Sequence, residues 1–160
     1  MVFNLGVFDM AGLMDLMNSF AGKKEVEGGS VEELMAALKK KDIYEVARVI
    51  AAESASDGTQ GMMGVAHVIN NRGINSGTSP LDIVSKKNQF YGYTNKNKNK
   101  IFEGVKEEAV DIATKLYDGK LGEDFTQGAT YFRQPSERVS SWHGDETITI
   151  GNHIFHKESK

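Results

Sequence analysis

The fold is written most clearly in Ala47-Arg-Val-Ile-Ala-Ala-Glu53-Ser-Ala-Ser-Asp57-Gly58-Thr-Gln-Gly61-Met-Met-Gly-Val-Ala-His-Val-Ile-Asn-Asn-Arg72. Ile43, Val46, Ala47, Ile50 and Ala51 recur at helical spacing, so a helix should run up to about residues 54–56. Asp57-Gly58 reads as a turn, and Thr59 as the cap of a second helix reaching about Arg72. Met62, Met63, Ala66 and Ile69 give that second helix an apolar face. Two apolar helices joined by a short turn form an α-helical hairpin, and Glu53 stands at its bend.

Upstream, Asp42 and Glu45 make a capping-box pattern that opens the first of these helices. Ser30 and Glu33 make another, predicting a separate short helix through Leu38. Residues 23–30 (KKEVEGGS) read as a linker, and residues 1–22 as an amphipathic helix, with Leu13, Met14, Leu16, Met17 and Phe20 at helical spacing. A signal peptide fits residues 1–22 less well, because they lack a basic n-region and Asp9 and Asp15 interrupt the apolar run. Residues 31–160 are left as the main domain.

Downstream, Ser79-Pro80 is a cap with proline at the first helical position, predicting a short helix over 81–86. Residues 88–99 are polar and aromatic without period, hence a loop. An amphipathic helix follows over 101–117, closed by Gly119. The character then changes. Residues 129–133 read as a strand, and Thr147-Ile-Thr-Ile150 and His153-Ile-Phe-His156 flank Gly151-Asn152, a two-residue hairpin signal. The fold class is therefore α+β: mainly helical, with a small antiparallel β-sheet near the C-terminus.

Composition narrows the chemistry. The chain has 160 residues, 39% hydrophobic and 26% charged, which is globular rather than disordered. Its net charge of −3 supplies no field for polyanions, so nucleic acid is not an expected partner; the basic stretch 96–100 reads as a solvated loop. There is no cysteine, which excludes thiolate nucleophiles, disulfides and cysteine-ligated metals. No stretch approaches the roughly 20 apolar residues of a membrane span. His153 and His156, three apart in a strand, face opposite ways and make poor joint metal ligands, and no HExxH is present. Ser141, His143 and Asp145 are too crowded for a nucleophilic triad. No metal and no cofactor is expected.

Glu53 is the residue with chemical promise. A carboxyl at the end of an apolar helix, facing a turn and a second helix, is partly desolvated, and desolvation keeps it protonated as a general acid requires. Glutamates at helix ends are more often solvated, and spacing alone leaves both readings open. Asn71-Arg72 reads as a helix end closed by charge-assisted hydrogen bonds. His67 reads as a packed or solvated side chain.

Four blocks carry a resemblance. They are the stretch 47–72; Pro80, Ile83-Val84 and Gln89-Phe90; Gly128-Ala-Thr-Tyr-Phe132; and Gly151-Asn-His-Ile-Phe155. In this order, over about residues 43–157, they resemble the bacterial cell-wall hydrolase family of the spore-cortex-lytic enzymes. Ser54, Gly64 and His67 depart from the family pattern, as does the lysine- and asparagine-rich stretch 88–100.

The resemblance implies a lysozyme-like α+β catalytic domain that cuts the β-1,4 bond between N-acetylmuramic acid and N-acetylglucosamine in peptidoglycan glycan strands. It implies Glu53 as general acid and then base. It also implies a lytic transglycosylase, in which the muramic C6 hydroxyl rather than water attacks the anomeric carbon, although a muramidase remains the other outcome. Asp57 lies where the family often has an acidic residue; it is the candidate second acid, or else a cap of the turn or next helix. Gln89 and Tyr131 fall on motif positions and are the first substrate-binding candidates, joined by Tyr91, Trp142 and His153. Tyr93 also falls in the aromatic loop. Phe90, Phe132 and Phe155 read as core aromatics, and Trp142 equally as a sugar platform or a hydrophobic plug.

A competing reading is a peptidoglycan-binding structural module, of a virion or of the wall, with little or no turnover. The site of action is the bacterial cell wall on either reading. Two routes there stay open: a phage protein, released through a holin or carried in the virion, and a processed piece of a longer exported protein.

Overall fold

The computed structural model describes residues 30–94 and 106–159. The proposed helix 1–22, the linker up to residue 29, the basic stretch 96–100 and the start of the helix expected from 101 lie outside the described residues. Contacts divide the chain into Met1–Ala37 and Leu38–Lys160. Of the first unit, the opening turns of helix α1 are described, held by the expected capping box: Glu33 N–H donates to Ser30 Oγ at 3.2 Å and Ser30 N–H to Glu33 Oε2 at 2.9 Å.

Helix α1 (Val31–Ser54) is continuous where the capping signals predict two helices. Asp42 therefore caps nothing. No glycine or proline separates Leu38 from Asp42, so nothing breaks the backbone ladder there. A 3-10 turn (Ala55–Asp57) leads into α2 (Gly58–Ser76). Neither Asp57 nor Thr59 caps it as expected: Asp57 stands at the N-cap without a side-chain cap bond, and Thr59 Oγ1 donates to Glu108. The helix also passes the anticipated stop at Arg72, ending at Gly77 in the left-handed region (φ 66°). Helix α3 (Pro80–Ser85) carries a full capping box between Ser79 and Asp82. The expected loop 88–99 contains one helical turn, α4 (Tyr91–Thr94), and α5 spans Lys106–Tyr117.

Strands β1 (Tyr131–Arg133), β2 (His143–Ile150) and β3 (His153–Glu158) form an antiparallel sheet in the order β1-β3-β2. The Gly151-Asn152 hairpin is present, with Ile150 opposite His153. Strand β2 starts four residues before its expected start at Thr147, because register shifts between His143 and Ile148 erase the period-2 alternation there.

Most of the core lies among the helices: Val46, Val49, Ile50, Met62, Val65, Ile69, Ile83, Phe90 and Ile112 are all buried. A second cluster, Val68, Ala129, Ile150 and Phe155, binds the sheet to α2. Gly64 permits that contact, since a Cβ there would stand 2.6 Å from the Phe155 ring. Phe132 touches both clusters, so the sheet is fixed against the helix pair that carries Glu53.

Candidate active site

A cleft of about 1270 Å³ opens between the end of α1, the turn at α4 and the sheet. Glu53 is in its wall, and so are Gln89, Tyr91, Tyr131, Trp142 and His153. Six of the seven residues singled out in the sequence thus share one surface. Asp57, the seventh, does not line the cleft. Its carboxylate is turned inward, where Oδ1 accepts the Asn152 N–H at 2.9 Å and Oδ2 meets His153 Nδ1 at 2.5 Å.

Glu53 is half-buried in the last turn of α1. Burial pushes its carboxyl above the ordinary carboxylate range. The Gly92 N–H, donated to Oε1 at 2.7 Å, opposes that shift, as do His153, the Tyr91 amide and Arg72 in descending order. The peptide that supplies this bond is clamped on its other side: Arg48, buried inside α1, donates from Nη1 to the Gly92 carbonyl at 2.6 Å. Gly92 must be glycine to come so close, because a Cβ would lie 2.5 Å from that of Ala52. A polar, aperiodic loop carries no sign of this clamp in the sequence.

Asn71 and Arg72 do not close a helix end, since α2 runs on past them. Asn71 Nδ2 donates to Asp124 Oδ2 and to the Ala129 carbonyl, both at 2.9 Å. Arg72 Nε donates to the Thr130 carbonyl at 2.5 Å, which docks the start of β1 on α2. Arg72 Nη1 donates to Gln89 Oε1 at 3.0 Å, and its guanidinium lies over the Tyr131 ring (4.3 Å) and the Phe90 ring (5.1 Å). With its oxygen taken, Gln89 has its amide N–H groups to offer a ligand. Arg72 is a cleft residue that sequence reasoning assigned to structure alone.

Trp142 is 47% exposed and stacks on His143 with ring centroids 3.9 Å apart, meeting Tyr131 edge-on at 5.0 Å. The ring is therefore backed on one side and open to solvent rather than plugged into a core. Tyr91 is 72% exposed elsewhere on the cleft lining. Phe90 and Phe155 are core residues as expected, and Phe132 is half-buried. His67 is packed, edge-on to Phe125, and burial holds its imidazole below the usual range. His153 and His156 face opposite ways, the first to Asp57 and the second stacked on Tyr131.

Fold and site together define a class: a mainly helical α+β domain whose small C-terminal sheet walls an aromatic-lined cleft, with one carboxyl pushed above the ordinary carboxylate range by burial. The chain belongs to the cell wall hydrolase family, whose sequence profile matches residues 56–156. Glu53 lies just ahead of the matched stretch. In fold, the chain is similar to the crystal structure of the catalytic domain of the Bacillus cereus SleB protein (TM-score 0.59, 23% identity). That likeness covers 85% of this chain and all of the other. No curated protein matches the chain significantly. Among the described residues no helix is long and apolar enough to cross a membrane.

Proposed function

We propose that the chain cleaves peptidoglycan glycan strands at the β-1,4 bond between N-acetylmuramic acid and N-acetylglucosamine, as a lytic transglycosylase with Glu53 as its acid and then its base. Membership of the cell wall hydrolase family supports the substrate class. The observation that carries the mechanism is the Glu53 carboxyl itself, in the wall of an open cleft, where burial pushes it above the ordinary carboxylate range and so favours its acid form. In this reading it gives its proton to the glycosidic oxygen as the bond breaks. The resulting carboxylate, steadied by the Gly92 amide, then takes the proton of the muramic C6 hydroxyl as that oxygen attacks the anomeric carbon. The acid is restored and a 1,6-anhydro end is formed.

A hydrolase with two carboxylates needs the second one positioned at the substrate. Asp57, the candidate for that role, is engaged by Asn152 and His153 and does not line the cleft. This favours the one-acid route, in which the nucleophile belongs to the substrate. Trp142 and Tyr91 serve as faces for sugar rings, while Gln89, Tyr131 and His153 border the bound strand. Mass spectrometry of products from purified sacculi tests the reaction: anhydro-muramic ends are expected, and reducing ends alone would make the enzyme a muramidase.

Release through a holin or carriage in a virion belongs to the same reading as the route to the wall. It rests on the apolar spacing of residues 1–22. A chain lacking residues 1–28 should cleave isolated sacculi at the full rate while losing any association with particles.

A further inference from the structure

His153 takes no part in the proton transfers above, yet it is the side chain whose charge most favours ionised Glu53. It opens β3, lines the cleft and is only 8% exposed. Its position is over-determined. Nδ1 meets Asp57 Oδ2 at 2.5 Å, and Phe132 packs edge-on against the ring at 5.2 Å. The Asp57 side chain is itself 1% exposed, with its other oxygen on the Asn152 N–H. A Cβ at Gly151 would collide with the Asp57 carboxyl, so the hairpin turn is shaped around it. The 3-10 turn that follows Glu53 and the hairpin 95 residues later are thus locked together by one carboxylate.

A carboxylate on Nδ1 holds an imidazole with the proton on that nitrogen and leaves Nε2 as its working edge. We propose that Asp57 and His153 are a positioning pair for Glu53: Asp57 fixes the tautomer and place of the imidazole, and the His153 imidazolium stabilises the Glu53 carboxylate in the half-cycle after proton delivery. This rests on the reading of Glu53 as the acid. The groups facing Glu53 are His153 from β3, Arg72 from α2, and the Gly92 and Tyr91 amides from α4. Arg72 and the two amides each keep one form, so His153 is the member of this set whose tautomer a neighbour, Asp57, can fix.

The test begins with the wild-type protein. The Glu53 carboxyl carbon and the His153 ring nitrogens are followed by NMR against pH. Coupling makes each report the other, with two steps at shared pH values. The Nδ1 resonance should show a bound proton throughout. Removing the imidazole in His153→Gln should move the alkaline limb of the pH–rate profile to higher pH, since Glu53 then holds its proton longer. Asp57→Asn should cost on the order of 10–100-fold in kcat with KM unchanged, and should shift the proton from Nδ1 to Nε2. Independent single-step titrations overturn the proposal, as does a wild-type kcat and limb in both variants. Glu53→Gln, assayed alongside, separates the two levels. If it retains activity, the parent reading and the proposal fall together; if it is inactive while the titrations are uncoupled, only the proposal falls.

Discussion

Gly92 gives its amide hydrogen to Glu53 Oε1 at 2.7 Å while its carbonyl accepts from Arg48 Nη1 at 2.6 Å. Three residues from two separate segments thus set one carboxyl oxygen, and the backbone between them has no room for a side chain. Gly92→Ala should therefore act on stability and chemistry at once. Relieving a 2.5 Å approach to Ala52 costs about 1–3 kcal/mol, read as a lower Tm. Loss of a bond that favours the ionised form lets Glu53 keep its proton longer, so the alkaline limb of the pH–rate profile moves to higher pH. A variant with unchanged Tm and profile would show that Gly92 is not held as described.

The buried carboxyl also leaves a mark on folding. Its pKa is raised in the native state above a value of 4.5 in the unfolded chain. Below pH 4.5 both states hold the proton and nothing is lost. As pH rises from there through the folded pKa, the unfolded chain ionises first and native stability falls. Glu53→Gln removes this loss and keeps an acceptor for the Gly92 amide. The Tm of the variant minus that of wild type should increase with pH above 4.5, in melts run across a pH series. A difference that stays constant with pH contradicts the burial of this carboxyl.

Trp142 offers one face to solvent while His143 backs the other. Removing a stacking ring costs about 0.5–1.5 kcal/mol of binding. Trp142→Ala should accordingly raise KM on glycan fragments about 2- to 10-fold and leave kcat near wild type. A fall in kcat at unchanged KM would place Trp142 among the residues that act on the transition state.

The helical hairpin, the short helix at Pro80, the β-hairpin at Gly151-Asn152 and the class of the fold were legible because each rests on local rules: apolar period, caps and turn residues. Three features were not. The continuity of α1 through Asp42 overrode a capping pattern that had no helix breaker to support it. The start of β2 was hidden by register shifts that remove alternation. The inward turn of Asp57 depends on a partner 96 residues away, which no local rule can supply. The site divides the same way. By pattern alone Glu53 is only an unusual glutamate at a helix end, and the four-block resemblance was needed to turn it into a specific proton-donor candidate. Arg72, Gly92 and Asn152 surround the cleft or its acid through tertiary contacts, and although the adjacent Tyr91 and His153 drew notice, no local rule assigns these three their partners.

Glu53 as proton donor is tested most directly by the rate at which purified wild type and Glu53→Gln solubilise isolated sacculi, with circular dichroism confirming that both are folded. A folded variant with activity lower by several orders of magnitude is the expected result. A folded variant that clears sacculi at the wild-type rate would mean that the proton reaches the glycosidic oxygen from elsewhere.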